Sequence, residues 1–211
     1  MNKATNFEEW LAALAQHTFA SFNFVYSDKD GNIAFIHNSM TPVRIPGYNW
    51  HNYLPGDKSS LIWDSYISFE KLPMVINPSS GYLISANQSP FFVTSDKDNP
   101  DRKNYSNEDG FPTRMTNRAV RGLELLSELD KIDERTFSAI KHDKKYSKNS
   151  RAYKYLEKAM LADLGDLNTQ KHEIYANAQT ILKKWDLSTD KNNRGAALGT
   201  CIIGAEWLAE Q

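Results

Sequence analysis

The segment at residues 77–90, NPSSGYLISANQSP, carries the side chain with the clearest potential for chemistry, the carboxamide of Asn87. Apolar residues before it predict a buried strand over 81–86, and Pro90 after it predicts a turn. A carboxamide N–H₂ is an uncharged donor that can stabilise negative charge developing on a carbonyl oxygen during acyl transfer. Asn87 is therefore the leading candidate site residue. The structural alternative is an Asn that caps a turn, which is a common role.

Other common catalytic and metal-binding patterns are absent from the sequence. The five histidines form no HExxH or close pair, and no GxSxG, P-loop or GxGxxG pattern occurs. The single cysteine, Cys201, excludes an intrachain disulfide and a zinc site built on cysteine pairs. The DKDGN run at 28–32 lacks the closing Glu of an EF-hand and predicts a hairpin turn instead. We therefore expect neither a metal nor a cofactor.

A set of longer segments, taken in order, resembles the penicillin acylase family, which includes the acyl-homoserine-lactone acylases. The segments are VYSDKDGNIAFIHN (25–38), WDSYISFEKLPMVINP (63–78), the 77–90 segment, TRMTNRAVRGLELL (113–126) and WDLSTDKNNRGAAL (185–198). Members of this family are N-terminal-nucleophile hydrolases, in which a Ser freed by self-cleavage attacks a substrate amide and its own α-amine serves as the base. The resemblance implies a small N-acyl amide substrate, such as a penicillin or an acyl-homoserine lactone.

The resemblance also implies roles for individual residues. Asn87 falls at the position whose side chain forms half of the oxyanion hole. Arg114 falls where an Arg at the start of a helix orients the active-site groups, although Arg118 and Arg121 lie nearby and an exposed helix-start arginine is the structural alternative. Phe22 falls at an apolar wall of the acyl pocket and would favour a hydrophobic acyl group, with core packing as the equal alternative. His37 is expected to make a structural hydrogen bond.

The catalytic nucleophile is expected to lie outside this chain. The sequence starts Met1-Asn2, and Gly199-Thr200 is the only internal place where a glycine precedes a suitable nucleophile. We therefore expect the missing acylase segments, carrying the Ser, to be the partner, and the chain alone to be inactive. Two other interpretations remain: a catalytically inactive protein that binds acyl groups, and a helical interaction domain derived from the same fold.

The first half of the chain is predicted to be rich in strands and the second half rich in helices, and these elements must position the candidate residues. Asn6 with Glu9 predicts a helix over 7–17, and Asp30-Gly31 predicts a hairpin. The prolines predict an irregular excursion over 42–78, and the polar stretch 96–112 predicts a loop. Helices are predicted over 115–129, 134–142, 151–163 and 169–184.

This order predicts an α+β fold. By resemblance it is part of an αββα sandwich with antiparallel strands, followed by a mainly helical region. We expect residues 1–112 to form a partial sheet core and residues 113–211 to form the helical region.

Composition limits the partners. A net charge of −1 provides no general attraction to nucleic acid, and the basic run at 141–158 is best interpreted as a solvated helical face. No apolar run is long enough to span a membrane, and the start of the chain does not have the pattern of a signal peptide. The small-xxx-small spacing at Gly195 and Gly199 predicts a packing helix rather than a membrane dimer. The family resemblance implies a periplasmic or secreted location.

Overall fold

The chain divides into two compact units, Met1–Arg114 and Met115–Gln211. The structure, a computed structural model, describes residues 1–17, 21–165 and 167–209, with the backbone alone for 205–209. Unit 1 contains one α-helix and a three-stranded antiparallel sheet among its described residues, and unit 2 contains α-helices. The predicted α+β class is confirmed.

Unit 1 begins with helix α1, Phe7–Leu14. The Asn6 side chain accepts a hydrogen bond from the Glu9 N–H at 2.8 Å, which is the predicted capping interaction. The helix ends earlier than the predicted boundary at residue 17. His17 adopts a left-handed backbone with φ of 51°, a conformation that cannot continue a right-handed helix.

The sheet of unit 1 has the order β1-β2-β3, with β1 at Phe22–Ser27, β2 at Ile33–Asn38 and β3 at Met74–Ile76. The predicted hairpin is confirmed. In its turn, one carboxylate oxygen of Asp28 accepts hydrogen bonds from the backbone N–H groups of Asp30 and Asn32, and these bonds fix the loop.

The predicted strand over 81–86 is wrong. This segment has no strand pairing. One backbone hydrogen bond, from the Ile84 N–H to the Val93 carbonyl at 2.8 Å, joins it to the residues that follow Pro90. The third strand is β3, just before it. The apolar pattern nevertheless reflected burial, because Leu83 packs against the buried cluster of Phe35, Val75 and Val93. An irregular segment can fill a core position without taking a place in the ladder.

The excursion over 42–78 is irregular, as predicted, apart from β3 and short 3₁₀ turns. Arg44 ties it to the 96–112 loop. Its guanidinium donates to the Glu108 carbonyl at 2.7 Å and lies 5.5 Å from the ring centre of Trp50 and 5.9 Å from that of Trp63. A planar cation can stack on two indoles and donate at its edge, so this one side chain holds both segments.

Replacing Arg44 with Lys should loosen this excursion. A lysine keeps the charge but loses the flat surface and the fork of donors, so we expect the free energy of unfolding of unit 1 to fall by about 1 kcal/mol. Limited proteolysis should cut the excursion faster in Arg44→Lys than in the parent. An unchanged cleavage rate would show that the excursion is held by other contacts.

Unit 2 contains five α-helices among its described residues: α2 Asn117–Ser127, α3 Glu134–Lys141, α4 Arg151–Leu161, α5 Thr169–Lys184 and α6 Arg194–Ala209. The four predicted helices are confirmed, with boundaries shifted by at most two residues at each end. Side-chain caps start several of them, as where the Ser150 hydroxyl accepts from the Tyr153 N–H. No described helix has both the length and the apolarity to cross a bilayer.

Trp185 organises the core of unit 2. It is buried with Leu156, Leu182 and Ala196, and its indole N–H donates to the Ser188 carbonyl at 2.8 Å. The ring lies directly against the glycines of α6. A Cβ added at Gly199 would be 2.1 Å from a ring carbon. The small-xxx-small spacing therefore makes room for an indole within this chain.

A pair of glycine substitutions in α6 tests this packing. Gly199→Ala should lower the free energy of unfolding of unit 2 by about 2 kcal/mol, because the overlap with a fixed indole outweighs the gain in helix propensity. Gly204→Ala is the matched control, since an added Cβ there has nothing within 4 Å. It should raise stability by up to about 1 kcal/mol. Urea denaturation followed by helical circular dichroism measures both, and equal effects of the two substitutions would contradict the packing argument.

Candidate functional site

Unit 1 contains a surface cavity of about 310 Å³. It lies where the start of β1, the end of β2 and the segment before Pro90 meet. Its lining consists of Ser21, Phe22, Asn23, His37, Ser85 and Asn87. Two of the three predicted site residues, Phe22 and Asn87, are thus brought to one cavity.

Asn87 lies in a turn that the buried side chain of the next residue stabilises. Its backbone is left-handed, with φ of 60°, a conformation that Asn tolerates better than most residues. The next side chain, Gln88, is 2% exposed. Its amide accepts from the Ala86 N–H at 2.6 Å and donates to the carbonyls of Ile84 and Phe92 at 2.9 and 3.1 Å. These three hydrogen bonds hold the backbone before and after Gln88, and they therefore fix the direction in which the neighbouring Asn87 side chain points.

Arg114 approaches the same turn through its backbone. The Ser89 N–H donates to the Arg114 carbonyl at 2.9 Å, which connects the end of unit 1 to the residue two positions after Asn87. The Arg114 residue is exposed and is not among the residues that line the cavity. The structure therefore places the backbone of Arg114 next to the turn, and the orienting role of its guanidinium remains a prediction.

His37 forms the buried side of the cavity. It pairs with Asn23 across the hairpin, and its Nδ1 lies 2.6 Å from the Asn23 Oδ1. Because an amide oxygen can only accept, the ring donates from Nδ1. The ring also packs edge-on against Phe111, with centroids 5.5 Å apart. The expected structural hydrogen bond of His37 is confirmed.

Burial sets the charge of His37. Removal from water disfavours the imidazolium and lowers its pKa from 6.5 to about 4. The ring is therefore neutral near pH 7. With Nδ1 protonated toward Asn23, the other nitrogen, Nε2, is an acceptor.

The cavity thus presents neutral hydrogen-bonding groups beside one aromatic wall. Such groups can bind and polarise an uncharged polar substrate, and the Asn87 amide can donate to an oxygen that gains negative charge. Across the described residues, no cluster of three or more His, Cys, Asp or Glu side chains could hold a metal ion.

A second, larger concavity runs along α3 in unit 2. Its volume is about 800 Å³, and its lining includes Asp133, Arg135 and His142. Every residue that lines it is exposed. A shallow surface of solvated side chains cannot exclude water from a ligand, so the cavity of unit 1 is the better candidate site.

Sequence reasoning missed Gln88 and Asn23. A glutamine after the Asn and an asparagine within an aromatic strand carry no distinctive signal by themselves. The cross-strand register that pairs Asn23 with His37 follows from the hairpin turn, so this pair could have been predicted from the position of Asp30-Gly31. The hydrogen bonds of Gln88 depend on the backbone conformation of the segment around it, and the prediction of a strand over 81–86 gave that conformation wrongly.

Comparison with known proteins gives a consistent result. The chain matches the family described as Penicillin amidase over residues 1–207. It is 35% identical to penicillin G acylase of Escherichia coli over 88 residues, which is 42% of this chain and 10% of that protein. The structure also superposes on a thermostable penicillin G acylase from Alcaligenes faecalis with a TM-score of 0.60 at 23% identity. That match covers 90% of this chain and 31% of the other, so the chain spans under a third of the length of these relatives.

Proposed function

Since the chain belongs to the penicillin amidase family, we propose that it supplies part of the active site of an acylase that hydrolyses N-acyl amides through an acyl-enzyme. In this proposal the attacking Ser and its α-amine reside on acylase segments outside this sequence. Penicillins and acyl-homoserine lactones are the substrate classes, and the assembled enzyme works in the periplasm or outside the cell.

The observation that carries the proposal is the meeting of Phe22 and Asn87 in one cavity of unit 1. The family places an acyl-pocket wall and an oxyanion donor at these two positions, which are 65 residues apart in the sequence. The braced, left-handed turn at Asn87 supports the same conclusion. An amide whose direction is fixed in advance needs no reorganisation when charge develops next to it.

The proposed reaction uses this chain in two steps. The Ser hydroxyl attacks the carbonyl carbon of the substrate amide and gives its proton to the α-amine, while the Asn87 N–H₂ donates to the oxygen as it becomes negative. The C–N bond then breaks, the α-amine returns the proton to the leaving amine, and water hydrolyses the resulting ester to the free acid. Phe22 contacts the acyl group throughout, so it contributes to binding, whereas Asn87 contributes mainly to the transition state.

Reconstitution tests the proposal. The chain is co-expressed with a Ser-initiated acylase segment, and hydrolysis of phenylacetyl-p-nitroanilide is followed by the release of p-nitroaniline. We expect activity from the pair and none from the chain or the segment alone. Substituting the Ser of the segment with Ala is the control and should remove activity without preventing association.

Two results would contradict this division of roles. Hydrolysis by the chain alone would show that it carries its own nucleophile. A stable pair that binds phenylacetate but releases no p-nitroaniline would favour the alternative of an inactive protein that binds acyl groups.

A further inference from the structure

The cavity of unit 1 is more polar than a pocket for a hydrocarbon acyl group requires. Phe22 is the one hydrocarbon side chain among its lining residues, and the others are two serines, two asparagines and a histidine. Small-molecule pockets usually have the reverse balance, with apolar walls and a few placed polar groups. The lining therefore favours a ligand that has hydrogen-bonding groups of its own.

One of these polar groups, the His37 ring, is buried and is held in a single tautomer. His37 is 7% exposed, and its Nδ1 is committed to Asn23 at 2.6 Å. Among the described residues, none donates a hydrogen bond to Nε2. A neutral imidazole with Nδ1 protonated presents a lone pair at Nε2, which is an acceptor that a ligand donor can satisfy.

The Asn23–His37 pair also keeps this acceptor in place. The two residues are opposite one another in the β1–β2 ladder, so the backbone register sets their separation. Phe111 packs against the ring and limits its rotation. Because Asn23 holds the proton on Nδ1, the ring cannot switch tautomer without breaking a short bond.

We infer that His37 is a specificity-determining residue that selects acyl groups carrying both an aromatic ring and a hydroxyl donor. The ring of such a group packs on Phe22, and the hydroxyl donates to Nε2 of His37. An acyl group without the hydroxyl covers the acceptor and leaves it unpaired, which a site built for a hydrogen bond penalises. This inference rests on the proposed acylase function and deepens it by naming the acyl group.

The test compares phenylacetate with two acids that each add one hydroxyl to it, 4-hydroxyphenylacetate on the ring and mandelate on the α-carbon. Each is titrated into the chain at pH 7, and the dissociation constant is measured from amide chemical shifts. We expect one of the hydroxylated acids to bind at least about tenfold more tightly than phenylacetate. His37→Phe should bring that ratio close to one, and His37→Gln, which keeps a neutral acceptor, should retain most of the preference. His51→Phe controls for the loss of a histidine elsewhere in unit 1.

The outcomes separate the inference from the proposed function. Equal binding of all three acids to the parent chain overturns the inference and leaves an acyl pocket in place. A preference that survives in His37→Phe overturns the assignment to His37. Absence of binding by any of the acids at millimolar concentration overturns the inference together with the acyl-pocket role proposed for unit 1.

Discussion

Asn87→Gly is expected to lower kcat/KM of the reconstituted acylase by about 10²–10³-fold, with KM changed only a few-fold. The lost donor acts on an oxygen that is negative only in the transition state, so the loss falls on kcat. Glycine is the informative replacement because Asn87 has a φ of 60°. Glycine accepts this conformation without strain, so the variant removes the carboxamide while keeping the turn.

Two further variants separate the donor from the turn. Asn87→Asp keeps the shape and the tolerance for a left-handed backbone but places an ionised acceptor beside the developing oxyanion, so it should be no more active than Asn87→Gly. Asn52→Gly, on the exposed excursion, should leave activity within a few-fold of the parent. Activity of Asn87→Gly within a few-fold of the parent would show that the oxyanion is stabilised elsewhere.

The free energy of unfolding of unit 1 should fall by about 3 kcal/mol between pH 7 and pH 4 through His37 alone. The pKa of this residue is lowered by burial from 6.5 to about 4, so between these values the unfolded state binds the proton and the folded state does not. Stability from this group is fully present above pH 6.5 and is lost as the pH falls toward 4. The slope between these limits approaches 1.4 kcal/mol per pH unit.

The measurement is a difference between the parent and His37→Gln, whose amide does not titrate. Urea unfolding at each pH, followed through the indole N–H NMR resonances of Trp10, Trp50 and Trp63 in unit 1, yields both curves. The parent should lose about 3 kcal/mol relative to His37→Gln between pH 7 and pH 4, and His51→Gln should show the same loss as the parent. Parallel curves for the parent and His37→Gln would mean that water reaches the ring in the folded state.

Much of the secondary structure was readable from local signals. The hairpin followed from Asp30-Gly31 between two aromatic runs, and the four helices followed from apolar spacing and capping residues. These features depend on residues within a few positions of each other. The strand prediction for 81–86 was wrong because strand pairing depends on residues that are distant in the sequence. The apolar residues of this segment reported burial correctly, but whether a buried segment joins a ladder depends on which edge is available, and β3 occupies the edge of β2.

The family, the hairpin that carries Phe22 and the Asn87 turn before Pro90 all followed from the sequence alone, because ordered motifs and local turn chemistry can be recognised without knowledge of distant contacts. Three features became visible in the folded chain alone: Phe22 and Asn87 share a cavity, His37 is a neutral acceptor at its buried side, and the glycines of α6 pack against Trp185. Each of these depends on side chains brought together from distant parts of one unit. Burial and hydrogen-bond geometry are properties of that packing, and no local pattern of residues encodes them.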